Sequence, residues 1–125
     1  MRERDTMPST EILDALNADP SVQRRLRFAN CVFRIETGGD CWLLALQGGK
    51  VAPAPADAAA DVTIRIAPEA WAAFQQPVPP PGCHDIYAMA ETGRADVSGD
   101  FLTLFRYSYV LKDILQQLAT GRMFG

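Results

Sequence analysis

Residues 61–71 read Asp-Val-Thr-Ile-Arg-Ile-Ala-Pro-Glu-Ala-Trp, and the change of period inside this stretch points to the fold class. Val62, Ile64 and Ile66 alternate with Thr63 and Arg65. Side chains two apart share one face of a strand, so Asp61 to Ile66 is a strand with one apolar face. Pro68 is pre-set for a first helical turn. Trp71 and Phe74, three apart, then predict a helix through Gln76 with both rings on one side. A half-buried strand running into a helix describes an α+β chain.

Upstream, Cys31, Phe33 and Ile35 recur every second residue between Phe28 and Thr37, with polar Asn30, Arg34 and Glu36 between them. Gly38-Gly39-Asp40 is turn chemistry, because glycine reaches positive φ at no steric cost. A second strand, Cys41 to Gln47, places Trp42, Leu44 and Leu46 on one face, making a hairpin. Gly48-Gly49 turns the chain again into a weak third strand, Lys50-Val51-Ala52, and Pro53 to Ala60 reads as an irregular connection. Nearer the N-terminus, Glu11, Ile12, Leu13 and Leu16 predict a short amphipathic helix with Ser9 or Thr10 as its N-cap. Asp19-Pro20 opens another helical piece through Arg25.

Downstream, Pro77 to Gly82 cannot be helical and predicts a stiff link. His84 to Glu91 reads as a helix closed by Gly93, and Arg94 to Ser98 as a short strand with Ala95 and Val97 inward. Gly99-Asp100 then caps one long helix to about Thr120. Phe101, Leu104, Phe105, Leu111, Leu115 and Leu118 form its stripe, which Leu102, Tyr109, Val110 and Ile114 widen.

A chain of 125 residues fits one domain, here 1–125 with its core at about 28–118. It can bury enough surface to fold without a metal or disulfide. The net charge of -3 argues against nucleic acid, which selects a basic face; Arg24, Arg25 and Arg27 read as a solvated helix end. No stretch approaches the ~20 apolar residues of a membrane span, and no signal-like run follows the charged start, so a cytoplasmic address is expected. Cys31, Cys41 and Cys83 match no metal or redox spacing and read as packed, reduced thiols.

No catalytic residue, metal set or cofactor motif is expected from the sequence. His84 is the single histidine, and Ser98 lacks the glycine before it that a nucleophile elbow needs. Gly48-Gly49-Lys50 lacks the rest of a phosphate loop. Asp96 with Asp100, and Asp57 with Asp61, read as solvated ends of elements. What remains is apolar excess on helices. Those side chains either fill the core or line a cavity, and residue types alone leave both readings open.

The order of these parts resembles the sterol carrier protein type two family. The likeness rests on Asp61 to Trp71, on Gly93-Arg94-Ala95-Asp96-Val97-Ser98-Gly99-Asp100, and on the apolar helix that follows at once. The run Pro-Pro-Pro-Gly-Cys-His-Asp-Ile-Tyr-Ala-Met (79–89) is similar to a bacterial subgroup of sterol-carrier-like domains. The resemblance implies a five-stranded mixed, mostly antiparallel sheet with strand order 3-2-1-4-5. Helices would pack on one face, with a hydrophobic cavity between the layers. It also implies a non-enzymatic carrier of a sterol, fatty acid or acyl-CoA, with no shared catalytic residue. Trp71, Phe74, Met89, Phe105 and Tyr109, all large, apolar-bodied and helical, are the candidate ligand-lining residues. Two other readings stay open: an accessory domain acting with a hydrolase or dehydrogenase, and a small isomerase-like enzyme with Asp and Tyr in an apolar pocket.

Overall fold

Alternation in the hairpin becomes the inner face of a sheet. The computed structural model describes residues 4–5, 10–83 and 85–120. Its strands are β1 (Arg4–Asp5), β2 (Asn30–Glu36), β3 (Asp40–Gln47), β4 (Lys50–Pro53), β5 (Val62–Ile66) and β6 (Ala95–Gly99). Its helices are α1 (Thr10–Ala18), α2 (Pro20–Arg25), α3 (Pro68–Phe74), α4 (Ile86–Glu91), α5 (Phe101–Arg106) and α6 (Ser108–Thr120). β2 pairs antiparallel with β3, β3 with β4, and β5 with β6, while β2 and β5 run parallel from Phe33↔Val62 to Glu36↔Arg65. The five strands expected from sequence therefore lie in the order 3-2-1-4-5, an α+β arrangement. The two-residue β1 adds a parallel pair on β3 beside Asp40 and Cys41. It was not foreseen, because two charged residues carry no alternation.

Phe33, Ile35, Leu44, Leu46, Val62, Ile64 and Ile66 are buried on the inner face under Leu16, Leu26, Met89, Leu111 and Ile114 of the helical layer. The outer face carries Arg34, Glu36, Thr63 and Arg65 instead. Two local devices hold the edges. Gly48 and Gly49 both have positive φ, 60° and 86°, the geometry of a two-residue hairpin turn. Asn17 on α1 then clamps the β4 edge: its Nδ2 donates to the Val51 carbonyl at 2.9 Å, and its Oδ1 accepts from the Val51 N–H at 2.8 Å.

Most boundaries shift by a residue or two, and three of the shifts move a named residue out of its expected place. The first strand begins at Asn30, and Phe28 is exposed. α4 begins at Ile86 with Asp85 as its N-cap, while His84, like Ser9, lies outside the described residues. Thr10 is the first residue of α1 and not its cap. The larger correction is that the long terminal helix is two helices. The chain breaks at Tyr107, whose φ is -109° and ψ 23°. Apart from Arg106, the run Phe105 to Val110 consists of residues of middling helix propensity. There the Ser108 hydroxyl donates to the Phe105 carbonyl at 3.1 Å, a local bond that competes with a continuous helix. Tyr107 turns into the core, and the single stripe splits: Leu104, Val110, Leu111, Ile114 and Leu115 are buried, but Phe101, Leu102 and Phe105 are 51, 67 and 59 % exposed.

On the outer face Arg34 Nε contacts Glu36 Oε2 at 2.7 Å, and Arg65 Nε reaches Glu36 Oε1 at 3.4 Å across the parallel pair. Burial opposes ionisation of Glu36, but the hydrogen bond and charge of Arg34, helped by Arg65, outweigh it and hold the carboxyl below its ordinary 4.5. A depressed pKa stabilises the fold fully above the ordinary value, and that gain is lost as pH falls through the folded-state value. Glu36→Gln is therefore expected to lower the melting temperature at neutral pH, with the difference closing once pH is below about 4.5. Melting curves of both proteins across that range check it; a difference independent of pH would refute the assignment.

Candidate ligand groove

α4 is held at both ends and anchored beneath. The Ala88 N–H donates to Asp85 Oδ1 at 2.7 Å, and the Thr92 hydroxyl donates to the Ala88 carbonyl at 2.8 Å. Ile86 and Met89, three apart, are buried, which leaves Tyr87 and Ala90 on a flank. α5 is fixed by Asp100, whose Oδ1 accepts from the Leu102 and Thr103 N–H groups at 3.0 and 3.2 Å. The Thr103 hydroxyl also donates to Asp100 Oδ2 at 2.9 Å. That hydroxyl first, then the backbone donors, hold the Asp100 carboxyl below its usual range. On α5 only Leu104 is buried.

Two half-open grooves result. The larger, about 280 Å³, runs between α4 and α6 with Phe74, Ile86, Tyr87, Tyr109 and Leu115 as apolar walls. Asp85, Ser108, Lys112 and Gln116 supply polar groups on the same lining. The smaller, about 110 Å³, lies between α4, β6 and α5 and is bounded by Ile86, Tyr87, Ala90, Val97, Phe101, Leu104 and Phe105. A third hollow, of about 380 Å³ beside the Gly48–Gly49 turn, is lined by Asn17, Gln23, Arg27 and Lys50. Its amides are committed to backbone, Asn17 to Val51 and Gln23 Nε2 to the Asn17 carbonyl at 2.6 Å. Apolar walls with a few polar groups mark a small-molecule site, and the grooves beside α4 have that character.

Among the described residues reactive chemistry finds no comparable setting. Burial first, then the charges of Asp61 and Asp100, push the Cys31 thiol up to about 11, so it stays protonated. Asp61 Oδ2 accepts from the Val32 N–H at 2.7 Å, and Asp100 caps α5. Among the described residues no group of three or more His, Cys, Asp or Glu could hold a metal ion. No described helix is long and apolar enough to cross a membrane.

Solved structures share this layout. The chain is similar to a crystal structure of sterol carrier protein 2, with a TM-score of 0.60 at 14% identity over 87% of this chain and 90% of that one. The fold is that of the sterol carrier proteins. A conserved hypothetical protein of Thermus thermophilus, itself described as a candidate sterol carrier protein, also reaches 0.60 at 14% identity, covering 99% of this chain and 97% of its own. A structure described as "UbiJ-SCP2 Ubiquinone synthesis protein" reaches 0.55 at 19% identity over 86% and 88%. No family model and no curated protein matches the sequence.

Within this sterol-carrier fold the candidate residues part company. Phe74 and Tyr109 line the larger groove and Phe105 the smaller. Trp71 packs between Trp42 and Phe74, with centroids 5.7 Å away on either side and ring planes tilted, and Met89 is wholly buried; neither lines either of these two grooves. Ile86, Tyr87, Ser108, Lys112 and Leu115 were not among the candidates. Tyr87 was legible in principle, since it flanks the buried pair Ile86 and Met89. Ser108 and Lys112, four apart, share a face of the expected helix too, but as polar residues they add nothing to its apolar stripe.

Proposed function

We propose that this chain binds a hydrophobic small molecule of the sterol, fatty acid or acyl-CoA class and carries it without transforming it. The observation that carries the reading is the pair of apolar-walled grooves between α4 and the α5–α6 pair. The described structural neighbours support it, two being described as sterol carrier proteins or candidates for that role and one as a ubiquinone synthesis protein. The occupied groove would grade into the cavity between sheet and helices that the resemblance implies. Each methylene moved from water into such a space contributes about 0.8 kcal/mol before association costs. The non-enzymatic part rests on the buried, protonated Cys31 and on the structural duties of Asp61 and Asp100. We place the carrier in the cytoplasm.

The test is a native mass spectrum of the freshly purified protein, followed by titration with cis-parinaric acid, a naturally fluorescent fatty acid. A co-purified lipid mass, or saturable fluorescence displaced by oleic acid, is expected. A clean apo mass together with no saturable signal would overturn the carrier reading and leave an accessory domain working beside a hydrolase or dehydrogenase. Turnover of acyl esters by the purified protein, abolished in His84→Ala at unchanged stability, would overturn the non-enzymatic part.

A further inference from the structure

Ile86 and Tyr87 belong to both grooves, and they form the wall between them. Ile86 is buried and fixed. Tyr87 is 41 % exposed, and its hydroxyl makes no hydrogen bond among the described residues. What holds its ring is Phe105 across the α4–α5 gap, with centroids 6.1 Å apart and planes inclined by 17°. An aromatic pair of this kind is worth a factor of about two to ten in population. A half-exposed side chain can leave such a pair by changing rotamer on a fast timescale.

We propose that Tyr87, resting on Phe105, is a movable partition, and that swinging it aside joins the two grooves into one channel for a single unbranched acyl chain. This rests on the carrier reading above. Volume favours joining: the larger groove of about 280 Å³ is just short of the roughly 300–1,000 Å³ usual for ligand sites, whereas the joined space lies within it. The chemistry of the ends sets the direction of the ligand. Lys112 and Ser108 on α6 suit the carboxylate of a fatty acid or the polar head of an acyl thioester. Asp85 lines the same groove at the α4 end, already accepting from the Ala88 N–H, and repels an anionic head there. Beyond Tyr87 the smaller groove has no charged lining residue, so the tail runs towards Phe101 and Leu104.

Displacement of cis-parinaric acid by saturated fatty acids of increasing length tests this in the wild type, Tyr87→Ala, Tyr87→Phe and Phe105→Ala. Short chains that stop before the partition should bind all four proteins alike. Long chains must displace the ring, so the ratio of long-chain to short-chain affinity should rise about two- to tenfold in Tyr87→Ala and Phe105→Ala. It should stay at the wild-type value in Tyr87→Phe, which keeps the ring. An unchanged ratio in both alanine variants would overturn the partition while leaving the carrier reading intact. Failure of every chain to displace the probe from the wild type, or of the probe to bind, would overturn the acyl-chain assignment and, joined to a clean apo mass, the carrier reading itself. Lys112→Met should weaken fatty acids several-fold and spare fatty alcohols of matching length; equal loss for both would overturn the assigned direction.

Discussion

Gly99→Ala is expected to lower the melting temperature by about 10–20 °C, from a destabilisation of roughly 3–5 kcal/mol. Gly99 closes β6 with φ 109°, a conformation that L side chains rarely adopt, and an added Cβ would run into the carbonyl oxygen of Asp61. Asp61 has nowhere to retreat. Its N–H donates to the Val32 carbonyl at 2.8 Å, its side chain accepts from the Val32 N–H at 2.7 Å, and its carbonyl accepts from the Asp100 N–H at 2.8 Å. Displacing it strains the β2–β5 junction and the N-terminus of α5 together. Gly39→Ala is the control: φ there is not positive, and nothing lies within 4 Å of the added carbon. Thermal melts of the two variants should differ widely; similar values would remove Gly99 from its structural role.

Phe33→Ala and Phe105→Ala should separate stability from binding. Phe33 is 1 % exposed at the centre of the inner sheet face, and its loss should cost about 3–5 kcal/mol through lost burial and a residual cavity. Phe105, 59 % exposed, should cost under about 1 kcal/mol while altering the binding of long fatty acids. Urea denaturation of both variants beside fatty-acid titration reads out the contrast. A full core penalty for Phe105→Ala, with lipid binding unchanged, would move that residue from groove to core.

The motifs that carried the family resemblance acquire a physical meaning in the Asp61–Gly99–Asp100 corner. An aspartate opening one strand and a glycine-aspartate pair closing another look unrelated along the chain. In the fold they meet, because β5 and β6 pair antiparallel from Val62↔Gly99. The glycine is needed where Asp61 approaches, and the aspartate beside it caps the next helix.

Local chemistry was enough for most elements. Period-two alternation marked β2, β3 and β5, paired glycines marked the turn before β4, and Asp19-Pro20 marked the start of α2, since each signal acts between near neighbours along the chain. Which apolar side chains face the core and which face solvent is a different matter. The stripe from Phe101 to Leu118 looks continuous in sequence, yet Leu104, Tyr107, Val110, Leu111, Ile114 and Leu115 are buried while Phe101, Leu102 and Phe105 lie outside. Trp71 and Met89 likewise look as suited to a groove as Phe74 does, until Trp42 and the floor under α4 enclose them. By itself the sequence determined every strand but β1, most of the helices and, through resemblance, the order of those five strands. Only the tertiary structure decided where the grooves lie, because a groove is the space left between α4, α5 and α6, whose spacing is set by contacts between residues distant along the chain.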